Sequence, residues 1–167
     1  MRKIVGSVVV VVAALGLPAC RSAAPAVVSS SASGAVVTGD GATSGAAAIT
    51  AFLAAARVPE VGAMARLFGT TNGPITEREG SAAVEKRMRA LACYLTHDDA
   101  RIVEDLPGVG AGRAVTVELR QRELTRRARF TTVPGPRGRW FVESFDINAL
   151  ADFCRPTGRN DGRSGGS

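Results

Sequence analysis

The apolar positions change period once along the chain, and that change separates a helical half from a stranded half. Through residues 44–95 they recur at the spacing of one helix face. Ser44 is placed to cap a first helix that carries Ile49, Phe52, Leu53 and Ala56 on one side. Pro59 ends that helix, or opens the next where its missing N–H costs little. The second helix shows Val61, Met64, Leu67 and Phe68, with Gly69 as its stop signal. Residues 70–80 are polar, contain Asn72-Gly73-Pro74, and must turn. A third helix is predicted over 81–95 on the stripe Val84, Met88, Leu91 and Leu95.

After His97 the pattern alternates. Residues 100–106 form a first candidate strand, closed by Pro107-Gly108-Val109-Gly110-Ala111-Gly112. The clearest strand is 113–120, with Val115, Val117 and Leu119 on one face and Thr116, Glu118 and Arg120 on the other. Residues 127–133 repeat it, setting Ala128, Phe130 and Thr132 against Arg127, Arg129 and Thr131, with the joining hairpin turning near 121–125. A second turn, Pro134-Gly135-Pro136-Arg137-Gly138, leads into a last strand over 139–145 with Trp140 and Val142. A short terminal helix follows, with Ile147, Leu150 and Phe153 packing back. Helices first and an antiparallel meander after them make an α+β domain.

The order of elements, the long hairpin and the final Trp140-bearing strand resemble the nuclear-transport-factor-2-like superfamily, the cystatin-like cones, over about residues 44–154. The resemblance implies N-terminal helices packed into the concave face of a curved antiparallel meander. It also implies a short strand between the second and third helices, which only residues 70–76 could supply. Members range from isomerases and dehydratases to binding modules without activity, so this likeness does not choose a function.

The ends of the chain say more about address than about fold. Residues 1–19 read as an export signal: Arg2 and Lys3 give a positive start, a short apolar run follows from Ile4 to Leu17, and small residues precede Cys20. Leu17-Pro18-Ala19-Cys20 resembles the bacterial lipobox, although Pro18 departs from its usual small or β-branched residue. The resemblance implies cleavage before Cys20 and a diacylglycerol thioether on its sulfur, a lipoprotein anchor whose acyl chains contribute ~0.8 kcal/mol per buried CH₂. An uncleaved membrane anchor is the alternative. Residues 20–45, rich in Ala, Ser, Gly and Val, read as a flexible tether, 46–154 as the domain, and 155–167 as a disordered tail. The expected location is the cell envelope, lipid-anchored and facing the periplasm or exterior.

That address bears on the other cysteines. With Cys20 taken by lipid, Cys93 and Cys154 remain as an even pair in an oxidising compartment, and a disulfide between them is expected. Cys93 lies opposite the apolar stripe of its helix, where a free thiol would be exposed. Charge is uneven too. The chain carries +6, yet residues 113–139 alone hold eight arginines against Glu118 and Glu123. Arg120, Arg122, Arg126, Arg127 and Arg129 crowd one hairpin and are candidates for contact with anionic headgroups or an acidic envelope protein. The competing explanation is a solvated polar face in a chain with nineteen arginines and two lysines. Export, rather than charge, argues against nucleic acid as a partner.

Catalytic candidates are few. Tyr94 lies one helical turn before Asp98, beside His97 and Asp99. Buried together, a carboxylate of this group could serve as general base and Tyr94 as donor to an oxyanion. A polar turn between helix and strand explains the same residues. Ser81 and Ser144 have no Gly-x-Ser-x-Gly context, and the glycines of 107–112 lead into a strand rather than opening a helix around phosphate. No cofactor is expected, and one His without a CxxC pair leaves no metal ligand set. The expectation is a non-enzymatic interaction or accessory module, with oligomeric state open and a homodimer among the options. The alternatives are a binder of small apolar ligands, lined by Phe52, Met64, Leu91, Val117, Phe130 and Trp140, and an isomerase- or dehydratase-type enzyme.

Overall fold

A computed structural model describes residues 39–155. The export signal, Cys20, most of the tether and the tail beyond Arg155 lie outside the described residues. Helix α1, Gly45–Arg57, begins where Ser44 Oγ accepts the Ala47 N–H at 3.1 Å. That bond satisfies one of the donors a helix N-terminus leaves unpaired. Its buried side carries Ile49, Phe52, Leu53 and Ala56, as the spacing predicts. Helix α2, Val61–Leu67, follows the break at Pro59. The polar segment after it forms a two-stranded hairpin, β1 (Gly69–Thr70) with β2 (Gly73–Pro74), where Gly73 takes a φ of 114°. A single 3-10 turn, Ile75–Glu77, then buries Ile75 and leads to α3, Ser81–Tyr94.

Four strands make the main sheet: β3 (Asp99–Pro107), β4 (Arg113–Gln121), β5 (Leu124–Pro134) and β6 (Trp140–Phe145). They pair in sequence order, every neighbour antiparallel, so the domain is α+β with a meander. Val115, Val117 and Leu119 on β4 and Ala128 and Phe130 on β5 point inward against the helices. Burying a side chain the size of Phe130, which is stacked on Phe145 at a centroid distance of 5.2 Å, stabilises the fold by roughly 2–3 kcal/mol. The C-terminal segment Asn148–Cys154 is 3-10 rather than α-helical, and it buries Leu150 and Phe153 beneath the sheet.

Three boundaries differ from the sequence expectation. The fold begins before residue 46, because Ala42 and Trp140 exchange both backbone hydrogen bonds at 2.9 Å and the chain is fixed from there. The central hairpin is tighter than the span 121–125: Gln121 pairs with Leu124, leaving Arg122 and Glu123 as a two-residue loop. Arg122 sits at φ 53°, a left-handed conformation disfavoured for a side chain with a Cβ. The Asp98 carboxylate accepts its N–H at 2.6 Å. On α3 the buried stripe runs through Val84, Met88 and Ala92, with Leu91 only partly covered.

Candidate functional site

Asp98 and Asp99 are exposed, whereas His97 is buried. The His97 ring Nδ1 lies 2.6 Å from the Leu95 carbonyl oxygen, so it donates there and fixes the corner between α3 and β3. Asp98 is occupied by the hairpin loop, holding the Arg122 N–H, while its own N–H donates to the Arg120 carbonyl at 2.7 Å. Tyr94, His97, Asp98 and Asp99 therefore close a turn. The two carboxylates face water rather than an enclosed cleft.

The six residues offered as a cavity lining lie in or against one packed cluster. Phe52, Met64, Val117 and Phe130 have no exposure, and Leu91 and Trp140 pack at its margin. The glycine-rich segment 107–112 folds back on itself: Gly108 N–H donates to Gly112 O at 2.9 Å and Gly112 N–H to Val109 O at 3.0 Å. It is a strand-to-strand turn closed by the Gly108 and Gly112 N–H groups. Among the described residues no three of His, Cys, Asp and Glu are grouped to hold a metal ion. Nor is any helix there long and apolar enough to cross a membrane.

The arginines divide between two sides of the sheet. Arg127 and Arg129 project outward from β5, and Arg120 outward from the end of β4. Arg126 has the opposite parity and reaches Asp152 of the C-terminal segment, with Nη2 2.6 Å from Oδ2. Arg122 stands alone in the loop. The five arginines of the hairpin thus do not form one patch.

Carboxylates from neighbouring strands take up much of their charge. Register aligns Arg101, Glu118 and Arg127 across β3, β4 and β5. Glu118 receives Arg101 at 2.5 Å and Arg127 at 2.9 Å. Those hydrogen bonds, Arg101's first, hold the Glu118 carboxyl below the usual carboxylate range and raise Arg101. The Arg126 hydrogen bond does the same to Asp152. Arg113 pairs with Asp105 at 2.8 Å.

What remains on the outer face is a shallow groove of about 570 Å³ across β4, β5 and β6. Thr116, Arg127, Arg129, Thr131, Ser144 and Asp146 border it. The sequence pattern places Arg127 and Arg129 on this face; it does not show that small hydroxyl side chains lie between them and β6. Register is the missing information, because Thr131 faces Ser144 across strands separated by a turn.

At the same end of the sheet as the Arg122 loop, where Gln121 Nε2 donates to the Phe153 carbonyl at 3.5 Å, Cys93 at the end of α3 and Cys154 in the C-terminal segment are disulfide-bonded, with Cα atoms 5.1 Å apart, and this bond joins the last segment to the helical layer rather than to a ligand site. No protein-family model, curated protein or solved structure matches this chain.

Proposed function

We propose that this protein is a non-enzymatic envelope lipoprotein, tethered through lipid on Cys20 and presenting a cystatin-like cone domain as an interaction module. The observation that carries the reading is the packing of the inner face. Phe52, Met64, Val117 and Phe130 fill with side chains the space in which a cone protein would hold substrate or ligand. The residues with unused polar groups lie instead on the outside of the sheet. Exposure of Asp98 and Asp99 weighs against the isomerase or dehydratase alternative, and the packed core against an apolar-ligand carrier.

The Cys93–Cys154 bond is in keeping with an oxidising compartment, and the lipobox-like Leu17-Pro18-Ala19-Cys20 supplies the anchor. The partner is an envelope protein or anionic headgroup met by the outer face. Expression of Cys20→Ser beside the wild type, followed by membrane fractionation, tests the tether. The wild type is expected with membranes and the variant released; a variant that stays with membranes in equal amount overturns the lipid anchor.

A further inference from the structure

We propose that the groove on the outer face of β4–β6 binds a singly charged phosphodiester. This deepens the interaction-module reading and rests on it for the setting in which such a ligand is met. The groove exists because of residue size. Thr131 and Ser144 are directly paired across β5 and β6, and two short side chains there leave a trough beside the long side chains of Arg127 and Arg129.

Three of its lining side chains, Arg129, Thr131 and Ser144, keep their donors free among the described residues. Among the described residues Arg129 has no carboxylate within ion-pair distance, while Arg127 shares the single carboxylate of Glu118 with Arg101. The Thr131 and Ser144 hydroxyls take no part in the fold's hydrogen bonds among the described residues, and Thr116 is turned away to donate to Glu104 at 3.2 Å. A planar guanidinium beside two hydroxyls matches the paired oxygens of an oxyanion, and charge-assisted bonds of this kind are the strong ones.

Two features narrow the ligand. Asp146 also lines the groove, its Oδ1 accepting the N–H groups of Asn148 and Ala149 at 3.1 and 3.2 Å. Its negative charge opposes a dianion more strongly than a group bearing one charge. A groove of about 570 Å³, open along its length, is also far larger than a bare oxyanion. Substituents fit on both sides of the charge, and a phosphodiester carries a single charge between two substituents. The same chemistry is offered by a phospholipid headgroup and by a soluble glycerophosphodiester.

The test uses the full-length chain in maltoside micelles, titrated with glycerophosphoglycerol at constant ionic strength while the Nε–H signals of its arginines are followed by NMR. A second titration adds phosphatidylglycerol to the micelles. Saturable shifts at Arg127 and Arg129 are expected, at least about tenfold weaker in affinity for Arg129→Gln and unchanged for Arg120→Gln. Saturation by the soluble diester assigns a free ligand; saturation by the lipid alone assigns a headgroup. Absent or non-saturating shifts, or equal losses in the two variants, overturn the site. Membrane fractionation of Cys20→Ser is read separately, so a failed anchor and a failed groove are distinguishable.

Discussion

Removing the Cys93–Cys154 bond with the double substitution Cys93→Ser/Cys154→Ser frees the C-terminal segment from α3 without leaving a lone thiol. The two cysteines are 61 residues apart in sequence. Closing a loop of that length in the unfolded chain is worth about 4 kcal/mol on a chain-entropy account. Unfolding entropy of about 2.1 cal/mol/K per residue, over a domain of about 115 residues, converts this to a Tm lower by roughly 15 °C. The segment should remain docked in the cold, because Leu150 and Phe153 stay buried and Arg126 still holds Asp152. Far-UV circular dichroism at low temperature should therefore match the wild type, and calorimetry should show the shift. A Tm within about 3 °C of the wild type would refute the reasoning, given the same entropy scale. So would two reactive thiols, other than Cys20, in the unfolded and unreduced wild-type chain.

Thr132 is fully buried and its Oγ1 has no hydrogen-bond partner among the described residues, so Thr132→Val should raise stability by about 1–2 kcal/mol in urea unfolding; a loss would show that the hydroxyl is satisfied in solution. Glu118 has its folded pKa held down by Arg101 and Arg127, so its contribution is present above the unfolded carboxylate pKa and is lost as pH falls through the lower folded value. Glu118→Gln should accordingly be less stable than the wild type near neutral pH and converge with it in acid; a pH-independent difference would contradict the ion-pair role.

The fold was legible where one periodicity ran long enough to exclude the other. The α1 face through Ile49, Phe52, Leu53 and Ala56, and the alternation of Val115, Val117 and Leu119, both appear as read. The β1–β2 hairpin was obscured because its residues, Gly69, Thr70, Gly73 and Pro74, have low strand propensity; pairing there is held by the neighbouring bridge between Phe68 and Val142. The four-residue offset between residue 46 and Ala42 comes from a bridge to Trp140 that depends on residues far apart in sequence.

The candidate site was less legible. Eight arginines in one stretch read as a basic patch, but their partners Glu118, Asp105 and Asp152 arrive by strand register and by the C-terminal segment. Parity separates Arg126 from Arg127 and Arg129 because β5 reaches back to Leu124, whereas the sequence pattern starts that strand at residue 127 and leaves Arg126 outside it. The groove depends on Thr131 facing Ser144, a pairing with no signature in either local sequence. His97 looked like a turn residue and does occupy a turn, yet the turn is packed inward.

The most direct test of the account is the intact mass of the chain extracted from membranes. Loss of residues 1–19 and an added diacylglycerol on Cys20 is the predicted result. An unmodified Cys20, or a chain that keeps its first nineteen residues, would contradict the central claim that the domain is displayed on a lipid anchor.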